Sequence, residues 1–256
     1  MTGSLEQGPD SGPGGLLRGP PAYRSATPWR AGPGVLATVA IVGVSLLVGL
    51  LLARFLAVAS PGALETVPGR LRLLGLSQLL MVALTLLASA LLGGRSSEVL
   101  ALRAVPGGWR TYTIALLGLM ALQLLLSAVQ RGVGHDVGTD VRQFVDLVRG
   151  PDWPLAAAVV AIGAPLAEEL VFRGFLLSAL ATRLGFWGAA LLANLPWTAL
   201  HWGYSTVGLV EVFILGLFFS WLLWRTGSLR VPILCHAIFN GLVLLELRYV
   251  DLPASG

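Results

Sequence analysis

The residues best suited to chemistry lie in the last 40% of this chain. The stretch Ala-Pro-Leu-Ala-Glu168-Glu169-Leu-Val-Phe-Arg173-Gly sets two carboxylates and a guanidinium inside an apolar run. Each ionised group at the centre of a membrane helix costs roughly 2.5–3.5 kcal/mol, so three together need a reason. Glu169 and Arg173 are four residues apart, share a helix face and can pair, which offsets part of that cost. Glu168 points about 100° away, with no partner on its own helix, and a carboxylate so placed suits a general base. Alone, Glu-Glu-Arg also reads as an ion-pair lock between helices.

Two further groups sharpen the functional reading. Trp197 and His201 are four apart in a run containing Pro196, and His236 and Asn240 are four apart in the last apolar run. The chain has three histidines, and two of them fall inside late apolar runs. Ionisable groups within membrane helices mark function by default. His135 stands beside Asp136 in a Gly-flanked loop and reads as solvated. Glu211, in a late run, reads as a lining or packing residue. Cys235 is the sole cysteine, so no intrachain disulfide can form, and it reads as a small buried apolar residue.

The elements that must position these groups are membrane helices. Of 256 residues, 55% are hydrophobic and 12% charged, and mean hydropathy is +0.80; soluble domains carry roughly 25% charged residues. About 20 apolar residues cross a bilayer as a helix. Runs of that kind cover 34–59, 71–92, 111–130, 154–183, 186–202, 207–225 and 230–248. The expected fold is therefore all-α, a polytopic transmembrane helix bundle of seven spans, or eight if 154–183 breaks in two. Residues 1–33, rich in Gly and Pro without an apolar core, read as a disordered tail and not a signal peptide. Residues 34–130 form the first three helices. Residues 131–153 form an amphipathic surface segment, with Val141, Phe144, Val145 and Val148 at helical spacing. Residues 154–248 form the polar-bearing core, and 249–256 a C-terminal tail.

All 17 basic residues are arginine. They are spread between apolar runs and form no basic stripe, which argues against a nucleic-acid partner. With the N-terminus inside, arginines 18, 24, 30, 95, 103, 110, 183, 225 and 230 are cytoplasmic, and 54, 70, 72, 131, 142, 149 and 248 are outside, in the direction that topology rules favour. Composition suggests a GC-rich bacterial genome, hence a bacterial cytoplasmic membrane. Counting along the helices leaves one tension. His236 falls roughly 9 Å into its run and His201 roughly 22 Å into a parallel one. Projection of the 154–183 helix and the start of the next beyond the bilayer would bring them to one depth.

The three motifs, in this order, resemble those of the CPBP (Abi) family of intramembrane proteases, which includes the type II CAAX prenyl endopeptidases and bacteriocin-processing proteins. Glu168-Glu169-Leu-Val-Phe-Arg173 matches its EExxxR, and His236 to Asn240 matches its HxxxN. Trp197 to His201 matches its FxxxH with Trp in place of Phe. The resemblance covers about 154–245. It implies an intramembrane endopeptidase acting on a membrane-associated peptide or protein, with Glu168 activating water and His201 assisting. It further implies that His236 and Asn240 stabilise the oxyanion, while Glu169, Arg173 and Trp197 hold the geometry. Glu168, His201 and His236 could ligate zinc. The soluble HExxH signature is absent, and a metal-free, glutamate-dependent mechanism fits the same residues. A non-catalytic immunity or scaffold protein of the same architecture is the alternative.

Overall fold

The computed structural model describes residues 16–17, 19–136 and 138–250. Among them the chain is helical throughout its regular structure, without a strand. Six helices are long and apolar enough to cross a membrane: α1 (Ala31–Ala59), α2 (Val67–Leu91), α3 (Trp109–Gly132), α4 (Trp153–Ala199), α5 (Thr206–Thr226) and α6 (Arg230–Tyr249). The protein is an integral membrane protein. Long apolar side chains such as Leu46, Leu79, Leu117 and Leu124 stay exposed on the outer helices, as a lipid-facing surface requires.

Six long helices stand against the seven to eight spans expected, and the difference arises at Gly185. Its φ of 67° and ψ of 174° interrupt α4, in a backbone region that essentially only glycine occupies. The chain doubles back there. Glu168 meets Trp197 and Arg173 meets Asn194, pairings that run antiparallel about the break. The ends of the bundle agree. At one end, Arg103 donates to the Arg24 carbonyl and Tyr23 to that of Trp224. At the other, Arg149 donates to the carbonyls of Leu247 and Val250. Residues 24 and 250 therefore lie at opposite ends, so the chain makes seven passes, two of them within α4.

Local chemistry sets the boundaries. Thr66 caps α2, accepting from the Gly69 N–H with proline in the first turn, and Ser205 caps α5, accepting from Gly208; such caps satisfy N–H groups that a helix start leaves orphaned. The arm of α4 before Gly185 is π-helical over Ala157–Gly163 and again over Glu169–Leu176, and the α-helical turns between them hold Pro165 and Glu168. Proline lacks an N–H and disturbs a helix from within, and π-turns recur at functional sites.

Two expectations change in detail. Residues 1–15 of the expected tail lie outside the described residues. Segment 19–30 packs on the bundle: Trp29 is buried and stacks on Phe175 at 5.0 Å, and Tyr23 packs edge-on against Phe186 at 4.8 Å. The segment 131–153 does carry a short helix, Val145–Arg149. Its apolar face packs inward, with Val148 buried in a cluster with Leu71, Ala156, Val159 and Leu247, so this face meets protein and not lipid.

Candidate active site

Glu169 and Arg173 form the centre of the polar cluster, both essentially without solvent exposure. Arg173 Nη1 donates to Glu169 Oε1 at 3.2 Å, the pairing that the i, i+4 spacing anticipates. The guanidinium also donates through Nη2 to Asn194 Oδ1 at 3.0 Å. Its Cζ lies 4.0 Å from the Trp197 ring centroid, within cation–π range. Asn194 is fixed in turn, donating through Nδ2 to the Phe213 carbonyl at 2.7 Å. Gly216 makes this approach possible: a Cβ there would lie 1.8 Å from Asn194 Oδ1 and 2.6 Å from Arg173 Nη2. A charge buried in this way is costly unless paired, and the two arms of α4, with α5 holding Asn194, supply its partners; Glu169 Oε2 is buried without a hydrogen-bond partner.

Glu168 is half-buried, and its lack of a partner on its own helix is made good across the hairpin. Trp197 Nε1 donates to Glu168 Oε2 at 2.6 Å. A phenylalanine could not make this bond, so tryptophan at this place adds a polar function to the aromatic one. Oε1 of Glu168 takes no protein donor among the described residues.

His236 Nδ1 lies 3.0 Å from Glu169 Oε1. Where the Glu169 oxygen is the acceptor of this contact, Nδ1 is the donor. Nε2 is then an acceptor in the neutral ring and a donor in the doubly protonated one. The imidazole stacks on Phe219 at 4.8 Å and meets Trp197 edge-on at 5.9 Å. His201 Nδ1 is 3.1 Å from the Trp197 carbonyl; a carbonyl only accepts, so Nδ1 is the donor and Nε2 faces no protein partner among the described residues. Its ring packs against Trp197 at 5.2 Å and Tyr204 at 5.4 Å. Trp197 thus touches both imidazoles. The two histidines, placed at different depths by counting residues, share one aromatic neighbour.

Asn240 has a local partner. In the π-helical stretch, the carbonyl of residue 159 accepts from residue 164. By the same spacing Val160 would need an N–H from residue 165, which is proline. Asn240 Nδ2 supplies it at 3.0 Å. One of its two amide hydrogens is therefore committed to the backbone.

The structure gathers Glu168, Glu169, Arg173, Trp197, His201 and His236 around one indole, with Asn240 one turn beyond His236. Among the described residues no three His, Cys, Asp or Glu side chains converge as a metal-holding group: Glu168 faces the indole and His236 faces Glu169.

Sequence reasoning missed Asn194, although a signal was present. It precedes Trp197 by three residues and His201 by seven, on the same helix face, as a lone amide in an apolar run. His135, read as solvated, is largely buried against Asp140 and Ser205, with its Nε2 3.6 Å from Asp140 Oδ2. Glu211 bridges helices, accepting from Gln123 at 2.7 Å and Gln130 at 2.5 Å of α3. Tyr204, between α4 and α5, has its phenol pushed well above the usual range by burial and then by Glu168, Asp140 and Glu211 nearby, so it is a neutral hydroxyl.

The same stretch of chain is where comparison with known proteins finds similarity. Residues 150–242 match the Rce1-like family, described as type II CAAX prenyl endopeptidase Rce1-like. The whole polar cluster, from Glu168 to Asn240, falls within the matched stretch. A protein of Escherichia coli named "Uncharacterized 24.3 kDa protein" is 37% identical over 98 residues, 37% of this chain and 45% of its own length. A protein of Bacillus subtilis (strain 168) named "Putative membrane peptidase YdiL" is 26% identical over 114 residues, 44% of this chain and 45% of its own length. The chain thus spans less than half the length of the curated relatives it matches. No solved structure matches it.

Proposed function

We propose that this protein is an intramembrane endopeptidase that hydrolyses a peptide bond in a membrane-associated protein or peptide. The observation that carries the reading is the half-buried Glu168, held through one oxygen by the Trp197 indole at 2.6 Å while the other oxygen is left for chemistry. In this reading Glu168 Oε1 takes a proton from water as the oxygen attacks the carbonyl carbon, and later returns it to the leaving amine. His201, with Nε2 free, assists the proton transfer. His236 and the second amide hydrogen of Asn240 face the developing oxyanion. Glu169, Arg173 and Trp197 fix these groups. We assign no step to a metal ion. The Rce1-like match supports peptide hydrolysis at a membrane and leaves prenylation of the substrate as one case; a leader peptide or an anchored regulator is another. Bacterial origin and a cytoplasmic N-terminus belong to the same proposal, with segment 19–30 and arginines 24, 103 and 225 at the inner end.

The test compares protein fragments in membranes holding wild type or Glu168→Ala at matched expression. New N-termini present with wild type and lost with Glu168→Ala, a fall of at least 100-fold, are expected. Identical fragment sets, or a cellular phenotype that survives Glu168→Gln, would instead identify a non-catalytic protein of this architecture.

A further inference from the structure

His201 sits at the end of α4, on a short connection to α5, and the connection is held from elsewhere. Asp140, 65 residues earlier in the chain, accepts from the Ser205 backbone N–H at 2.5 Å through Oδ1 and from the Ser205 hydroxyl at 2.9 Å through Oδ2. Its side chain is 10% exposed. Ser205 Oγ in turn accepts from the Gly208 N–H at 3.0 Å, starting α5. On the other side Tyr204 N–H donates to the His201 carbonyl at 2.8 Å, and the Tyr204 ring packs on the His201 ring. Gly208 is cut to fit: a Cβ there would lie 2.2 Å from Asp140 Oδ2.

Serine, histidine and aspartate together suggest a nucleophilic triad, but the geometry is wrong for one. His135 Nε2 faces both Ser205 Oγ, at 3.5 Å, and Asp140 Oδ2, at 3.6 Å. A triad histidine joins its partners through different nitrogens. The serine hydroxyl is occupied as a helix cap, and the aspartate holds it directly.

We infer that Asp140 is a positioning residue, anchoring the 201–205 connection so that His201 is held beside Trp197. What His201 does there rests on the peptidase reading; how its loop is held does not. A shift of about 1 Å in a catalytic group can cost on the order of 100-fold in rate, so the anchor has kinetic consequences although it lies outside the reacting groups.

The experiment uses the full chain in lipid nanodiscs, with two readouts. Hydrogen exchange reports amides 201–206. Turnover is followed on an internally quenched peptide spanning the Glu168-dependent cleavage site. Asp140→Ala is expected to raise exchange at least tenfold and to lower kcat tenfold to 100-fold, with KM within threefold. Asp140→Asn keeps an acceptor for the Ser205 N–H and should restore most of both. Gly208→Ala retains every group of the anchor yet displaces the carboxylate, so it should reproduce the Asp140→Ala effects, and it carries the test if Asp140→Ala does not fold. Exchange within twofold of wild type in both variants would overturn the anchor. Raised exchange with unchanged kcat would overturn the positioning role while leaving the peptidase intact. Absence of Glu168-dependent cleavage in wild type would overturn the peptidase reading, and exchange alone would still decide the anchor.

Discussion

At the scale of single residues, this site shows how an apolar bundle keeps charge. Arg173 is partnered by a carboxylate, an amide and an indole face, and removing any one leaves a buried cation short of a ligand. Asn240 is the residue with two competing demands. The proline at 165 deprives the Val160 carbonyl of a backbone donor, and Asn240 replaces it. An orphaned buried carbonyl costs about 1–3 kcal/mol. Asn240→Ala should therefore lower stability by that amount, read as a reduced thermal unfolding midpoint in detergent, beside any loss of turnover. An unchanged midpoint would mean that Val160 finds another donor and that Asn240 is free to serve the reaction alone.

At the scale of elements, the hairpin within α4 is the decisive object. It brings Glu168 to Trp197 and Arg173 to Asn194, and it turns on one residue. An added Cβ at Gly185 would meet nothing within 4 Å, so a substitution there tests backbone strain without steric confusion. With φ at 67° and ψ at 174°, Gly185→Ala should cost about 1–3 kcal/mol. The loss should appear in thermal unfolding and, through the loosened hairpin, in weaker turnover. Full stability and activity would show that the two arms hold each other without help from the turn.

At the scale of the whole molecule, arginines segregate by end. Arg24, Arg103 and Arg225 gather where the N-terminal segment packs, and Arg149 and Arg248 gather at the other end, where Arg248 donates to the Val148 carbonyl. Seven passes place exposed Ser97 and exposed Gln143 on opposite sides. In a Cys235→Ser background, Gln143→Cys should react with an impermeant thiol reagent in intact cells, and Ser97→Cys only after permeabilisation. Labelling of both from one side would contradict the seven-pass chain path, and the reverse pattern would invert the orientation.

The sequence by itself determined the membrane class, the helical content and the pairing of Glu169 with Arg173, because hydropathy and the 3.6-residue period are local properties. It also put the polar motifs in one region, since each lies on its own short stretch. Only the tertiary structure decided what those residues touch. Sequence spacing left Glu168 without a partner; folding at Gly185 supplies Trp197. Counting residues set His201 and His236 at different depths; in the fold both rings pack on one indole. His135 looked solvated by its neighbours, yet it packs against nearby Asp140 and against Ser205, 70 residues on in the chain. Contacts between residues tens of positions apart depend on where the chain turns back, and Gly185 sets that for the pairing of Glu168 with Trp197 and of Arg173 with Asn194.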